Sequence, residues 1–224
     1  MRGYEDEKRR EDEKHLLTSQ LLILSTSHTK DGGKMTTVLE KRIFTYEDIG
    51  HLPEGWYEII DGERRDMTPT GFRHGKLENI FGEILRRNLK DKGYIATGEV
   101  GIIIRRSPLT LRAADVVYVS KKTSPIEPIG MLEIAPDLII EIVSEEIATP
   151  PASPPYKGGV WGGREINEKV KDYLSIGVKK IIWVDPFTET ITIFQHGRKE
   201  AIYLSFDEEF ELIDGIMVRV KELL

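Results

Sequence analysis

The stretch Pro136-Asp137-Leu138-Ile139-Ile140-Glu141-Ile142-Val143-Ser144 decides how this chain is read. Its β-branched run reads as a strand buried on both faces, where an ionised side chain is costly unless a cation or a metal compensates it. Glu141 therefore requires a partner. The preceding strand-like segment, Ala113 to Val119, holds a second misplaced acid in Asp115, and the helical segment after Glu141 carries Lys169 beside its apolar stripe. Two acids and a lysine make a candidate metal site.

Outward from this strand the chain has the grammar of a mixed α/β domain. Trp56 to Ile60, then Asp61-Gly62, then Arg64 to Met67 predict a hairpin. Thr68-Pro69-Thr70-Gly71 breaks it, and from Phe72 to about Lys90 the residues Leu77, Ile80, Phe81, Ile84 and Leu85 recur at helical spacing. Beyond Gly93, strands are predicted at Tyr94 to Ile104, Ala113 to Val119 and Asp137 to Val143. Glu165 to Ile176 predicts a second helix capped by Gly177, followed by strands at Lys180 to Val184, Ile191 to Phe194 and Ala201 to Leu204.

Two segments fall outside this pattern. Residues 1–34 mix acids and bases densely and read as a charged, disordered tail ahead of a single domain at 35–224. The segment at about 148–163 contains Pro150, Pro151, Pro154 and Pro155 with several glycines and reads as a surface insertion. Within it, Tyr156, Lys157 and Trp161 are candidates for stacking on nucleic acid.

At 224 residues the chain suffices for one sizeable core. It contains no cysteine, which excludes disulfides and thiolate metal sites. No apolar run approaches the roughly 20 residues of a membrane span, so a soluble, cytoplasmic protein is expected. A net charge of −6 argues against coating nucleic acid through a broad basic face.

The order helix, three strands, helix, strand is that of the PD-(D/E)XK nuclease core, and the residues resemble the Uma-two family of restriction-type endonucleases. The resemblance is carried by Tyr57-Glu58-Ile59-Ile60-Asp61-Gly62-Glu63, by His74 opening the helix, by Ala114-Asp115-Val116-Val117 and by the Pro136 to Ser144 stretch. It continues through Lys169 to Tyr173, Gly177-Val178 and Trp183-Val184-Asp185-Pro186, covering most of residues 40 to 195. It implies a restriction-endonuclease-like fold, a central mixed sheet flanked by helices, and a Mg²⁺-dependent endonuclease acting on DNA, with Mn²⁺ as a substitute ion. Cutting both strands of a duplex with two symmetric sites further suggests a homodimer.

Phosphodiester hydrolysis needs an activated water and charge stabilisation on the phosphate, which carboxylate-held Mg²⁺ supplies. Asp115 and Glu141 are the expected ligands, and the resemblance adds the Ile142 backbone carbonyl. A literal motif search pairs Asp137 with Glu141 instead. Four residues along a strand, however, separate α-carbons by about 13 Å, whereas an adjacent strand is only about 4.8 Å away. The lysine usual to the motif is replaced by Val143, and the resemblance implies that Lys169 takes over its role. Lys169 lies roughly 60° from Ile166 around the helix, bordering the apolar stripe, while the reserve candidate Lys171 points further out.

Other residues carry weaker expectations. His74 is a candidate substrate contact or second proton carrier, and Glu78 and Glu99 are candidates for a second metal position. Arg105, Arg106, Arg112, Lys121 and Lys122 flank the strands as phosphate contacts or as charges guarding strand ends. Two rival readings remain: a catalytically inactive module of the same fold that binds nucleic acid or protein, and a structural oligomer whose buried acids pair with internal arginines.

Overall fold

Turn chemistry lays the sheet down from its first hairpin. In the computed structural model, strands β1 (Tyr57–Ile60) and β2 (Glu63–Asp66) pair antiparallel across Asp61-Gly62. Both turn residues have positive φ, 53° and 79°, as a two-residue turn matched to the twist of its strands requires. The structure describes residues 43–144 and 163–224, with the side chains of 163–165 excepted. Most of the expected tail and insertion lies outside the described residues, as do Tyr156, Lys157 and Trp161. A compact unit spans Phe44–Leu224.

Helix α1 (Phe72–Leu89) follows and buries Leu77, Phe81, Leu85 and Leu89, one stripe at four-residue spacing. The long strands β3 (Gly93–Arg106) and β4 (Leu109–Ser120) then form an antiparallel hairpin. Strand β5 (Leu138–Ile142) adds antiparallel to β4, and β6 (Lys180–Asp185) adds parallel to β5 after helix α2 (Gly163–Ser175). Parallel neighbours need such a crossover. Strands β7 (Thr190–Gln195) and β8 (Ile202–Ser205) finish the eight-stranded sheet, and β9 (Phe210–Ile213) with β10 (Ile216–Val218) forms a separate pair.

The result is a mixed sheet between helical layers. On the α1 side, Val116, Tyr118, Leu138, Ile140 and Ile182 pack against the helix stripe. On the other side, Val117, Ile139, Val143, Ile181 and Trp183 pack with Val170, Tyr173 and Val178. Strand β5 is buried at every position, which explains its apolar run. No helix among the described residues is long and apolar enough to cross a membrane.

Asp137 ends this run without facing the site. Its carboxylate accepts the Ser120 N–H at 2.6 Å and the Thr123 hydroxyl at 2.9 Å, and it pairs with Lys179. It thereby ties the end of β4 to the start of β6. Burial acts to raise its pKa, but the bonds from Lys179, Ser120 and Thr123 outweigh this and hold it below the usual range. A lowered carboxyl pKa stabilises the fold above the unfolded value, near 4, and that contribution fades as pH falls through the folded one. Asp137→Ala is expected to cost about 1–3 kcal/mol near neutral pH. In urea titrations the gap from the parent protein should narrow in acid; a gap independent of pH would contradict this.

Candidate functional site

Strand β3 runs along one edge of β4 for nearly its whole length, so β1 and β5 divide the other edge between them. Strand β1 meets it at Leu111, and β5 meets it at Val116, Val117 and Tyr118. Residues 112–115 are left without a ladder partner there. Buried backbone groups must be satisfied in some way, and charged side chains take the place of a strand. The Ala113 N–H donates to Glu58 Oε1 at 3.0 Å, and the Ile142 N–H donates to Asp115 Oδ2 at 2.6 Å. Continuing the β4–β5 register by one place sets Asp115 opposite Glu141.

Helix α2 closes the gap from one layer. Lys169, Asp172 and Tyr173 stand at i, i+3 and i+4, so one helix face delivers an ammonium, a carboxylate and a hydroxyl. Lys169 Nζ lies 2.9 Å from Glu141 Oε2 and 3.2 Å from Glu58 Oε1. The Tyr173 hydroxyl donates to Glu141 Oε1 at 2.7 Å, so each Glu141 oxygen has a donor. Arg112, only 1% exposed, donates to Glu58 Oε2 at 2.8 Å and to Asp172 at 2.7 Å.

Burial and pairing pull these groups in different directions. Glu141 is pushed up to about 8, first by burial and further by the Asp115 charge, with Lys169 opposing. Glu58 is also buried, yet its pKa is lowered because Lys169 and Arg112 together outweigh burial. Lys169 itself is raised: burial disfavours its charge, but Glu141, Glu58 and Asp115 hold the proton more strongly.

From the other layer, α1 brings His74 Nε2 to 3.2 Å from Asp115 Oδ2. Burial alone would lower the His74 pKa, but the bond and charge of Asp115 raise it. His74 is 5% exposed, and its Nδ1 has no partner among the described residues. Opposite Asp115, β3 bulges at Gly98-Glu99, where both residues have positive φ, 88° and 59°. Such conformations are costly for a non-glycine residue and cluster at functional positions. The pKa values of Glu78 and Glu99 are raised, first by burial and then by Asp115.

Asp115, Glu141, Lys169, His74 and Ile142 are thus neighbours. The contact made by Ile142 is through its N–H, and that of His74 is with Asp115. Lys171 is exposed, so α2 turns Lys169 inward instead. Glu78 and Glu99 border the site, but no group of three or more His, Asp or Glu among the described residues is arranged to hold a metal. Arg112 is a buried ion-pair partner rather than a surface phosphate contact, while Arg105 and Arg106 pair with Asp61 and Glu133.

Sequence reasoning missed Glu58, Tyr173 and the inward role of Arg112. A short strand with one acid, Tyr57-Glu58-Ile59-Ile60, reads as ordinary alternation, and Tyr173 reads as part of an apolar stripe. Only the burial of Arg112 and Glu58 on facing strands exposes their role.

A family profile described as "Uma2: Putative restriction endonuclease" matches residues 45–218. Among solved structures, the fold is shared with the crystal structure of a putative nuclease belonging to DUF820 from Anabaena variabilis. That structure is 15% identical, with a TM-score of 0.64 over 80% of this chain and 97% of the other. Comparison with curated proteins gave no match.

Breaking a buried ion pair on one side costs about 3–5 kcal/mol, whereas replacing both partners with apolar groups is often neutral. Arg112→Leu is therefore expected to destabilise the protein by about that amount, with Glu58→Gln/Arg112→Leu, which removes the stranded charge but keeps an oxygen for the Ala113 N–H, recovering part of it in urea titrations. Equal losses in the single and double variants would contradict the pairing.

Proposed function

Since the chain belongs to the Uma2 family described as putative restriction endonucleases, we propose that it is a metal-dependent endonuclease hydrolysing DNA phosphodiester bonds at Asp115, Glu141 and Lys169. The observation that carries this reading is the convergence of two buried carboxylates and an ammonium on the unpaired edge of β4. Two oxygen donors crowded by further acids are the donor chemistry of a hard divalent cation. The upward shifts of Glu78, Glu99 and Glu141 come first from burial, and the Asp115 charge adds to each of them.

Asp115 and Glu141 would hold Mg²⁺ or Mn²⁺, with the Ile142 carbonyl as a further oxygen. When bound, such an ion supplies Lewis acidity and lowers the pKa of water. The remaining work belongs to the chain's own groups. His74 and the Ile142 N–H orient Asp115, while Tyr173 orients Glu141. Lys169, anchored between Glu58 and Glu141, presents fixed positive charge to the phosphate oxygens as negative charge develops there.

The rival in which the buried acids pair with internal arginines describes Glu58, which Arg112 neutralises. It does not describe Asp115 or Glu141, whose partners among the described residues are His74, the Ile142 N–H, Lys169 and Tyr173. The inactive-module rival drew on the absence of lysine at Val143. Lys169 beside Glu141 removes much of that support.

The test is cleavage of supercoiled, linear and single-stranded DNA with Mg²⁺ or Mn²⁺. Asp115→Asn and Glu141→Gln are each expected to lower the rate by about a hundredfold or more while thermal melting stays cooperative. Metal-dependent cleavage that survives both substitutions would eliminate this site, and no cleavage under any condition would favour the binding module.

A further inference from the structure

Side chains that face each other across neighbouring strands share one face of a sheet, so each register row on the covered α1 side is expected to be apolar. The row Val116, Ile140, Ile182 and Ile193 obeys this. One pleat further along, the row is Tyr118, Leu138, Lys180 and Gln195, and three of its four side chains carry polar groups. They border a cavity of about 980 Å³ that the end of β9 also lines. That volume is within the range of small-molecule sites, about 300–1,000 Å³.

The hydrogen bonds of this row are incomplete. Lys180 Nζ donates to the carbonyls of Glu211 at 2.9 Å and Leu212 at 3.2 Å, so β9 anchors it. The hydroxyl of Tyr118, a residue only 1% exposed, and Gln195 Oε1 are buried without a partner among the described residues. Buried polar atoms in folded proteins nearly always have one. Burial, then the charges of Asp214 and Asp137, raise the Tyr118 pKa, so its hydroxyl keeps its proton and is available to donate. The Gln195 carboxamide can accept or donate.

The mouth of the cavity supplies charge. Lys92, Lys121 and Lys122 border it, exposed and without an ion pair among the described residues. Lys179 is paired with Asp137, and Glu211 is held by the Gly215 N–H and Lys180. Asp91 and Asp214 are the acids left at the same rim, so unpaired cations outnumber unpaired acids. Clustered ammonium groups suit a phosphate, which accepts charge-assisted hydrogen bonds. The unpartnered hydroxyl and carboxamide behind them suit a body bearing hydroxyls.

We propose that this cavity binds a phosphorylated small molecule, its phosphate among Lys92, Lys121 and Lys122 and its hydroxylated body hydrogen-bonded to Tyr118 and Gln195. A sugar phosphate and a mononucleotide share that chemistry. The site is independent of the catalytic reading. Leu138 lies three residues from Glu141, about 10 Å along β5, and strand alternation turns the two to opposite faces.

The experiment is isothermal titration calorimetry of the full chain, without divalent cations, using ribose 5-phosphate, uridine monophosphate and inorganic phosphate. Saturable binding of at least one ester, tighter than that of inorganic phosphate, is expected, and the tighter ester identifies the carrier. Tyr118→Phe should weaken it by about tenfold, the loss of one hydrogen bond. The same variant should melt no lower than the parent, because the hydroxyl has no protein partner to lose. Lys121→Ala/Lys122→Ala should weaken binding by about the same factor, and both lysines are exposed, which keeps the test valid whatever Tyr118→Phe does to folding. No saturable heat from either ester at millimolar concentration overturns the proposal. So does inorganic phosphate that binds as tightly as both esters, or ester affinity unchanged in Tyr118→Phe. Glu141→Gln should leave ester binding intact, which separates this outcome from failure of the nuclease reading.

Discussion

The structure of the site depends on an interrupted ladder. Because β1 and β5 approach the same edge of β4 from opposite ends, neither forms a ladder with residues 112–115. Unpaired backbone inside a core is costly, and the chain resolves that cost with side chains rather than with a strand. Glu58 bonds the Ala113 N–H, and Asp115 bonds the Ile142 N–H. The same gap that demands hydrogen-bond acceptors thus concentrates carboxylates at one place. A cluster of buried acids follows from the topology of the sheet.

Carboxylates gathered in a core repel one another, and their partners decide which stay charged. Glu58 has two cations and is held ionised, whereas burial raises the Glu141 pKa by more than its one cation, opposed by the Asp115 charge, offsets. Lys169 is the common element, within bonding reach of both. Buried ion pairs often contribute little net stability, since desolvation offsets attraction. Glu141 and Lys169 are therefore poorly explained as a device for holding the fold together. The proposed nuclease reading accounts for their placement, in line with the tendency of perturbed groups to cluster at active sites.

Much of this was legible in the sequence, for definite reasons. An acid in a β-branched run has no ordinary explanation, so Glu141 and Asp115 stand out in the sequence, and strand spacing alone sets Asp137 apart from Glu141. The structure gives Asp137 a different task, capping the end of β4. Helical arithmetic placed Lys169 beside the apolar stripe, and α2 carries it to Glu141 despite the long segment between β5 and the helix. Glu58, Arg112 and Tyr173 were hidden because their significance arises only where three elements meet. The β9–β10 pair was a missed local signal: Asp214-Gly215 is a turn with φ of 50° and 79°, like the Asp61-Gly62 turn that was recognised. The bulge at Gly98-Glu99 has a fainter trace, a glycine inside a predicted strand, opposite Asp115.

The central claim is that Asp115 and Glu141 grip one divalent ion together. A crystal soaked in Mn²⁺ tests it most directly through anomalous scattering. The account predicts a single strong peak about 2.0–2.2 Å from an oxygen of each carboxylate, absent from crystals of Glu141→Gln. A soak with no peak there, both acids still held by Lys169, Tyr173, His74 and the Ile142 N–H alone, would contradict it.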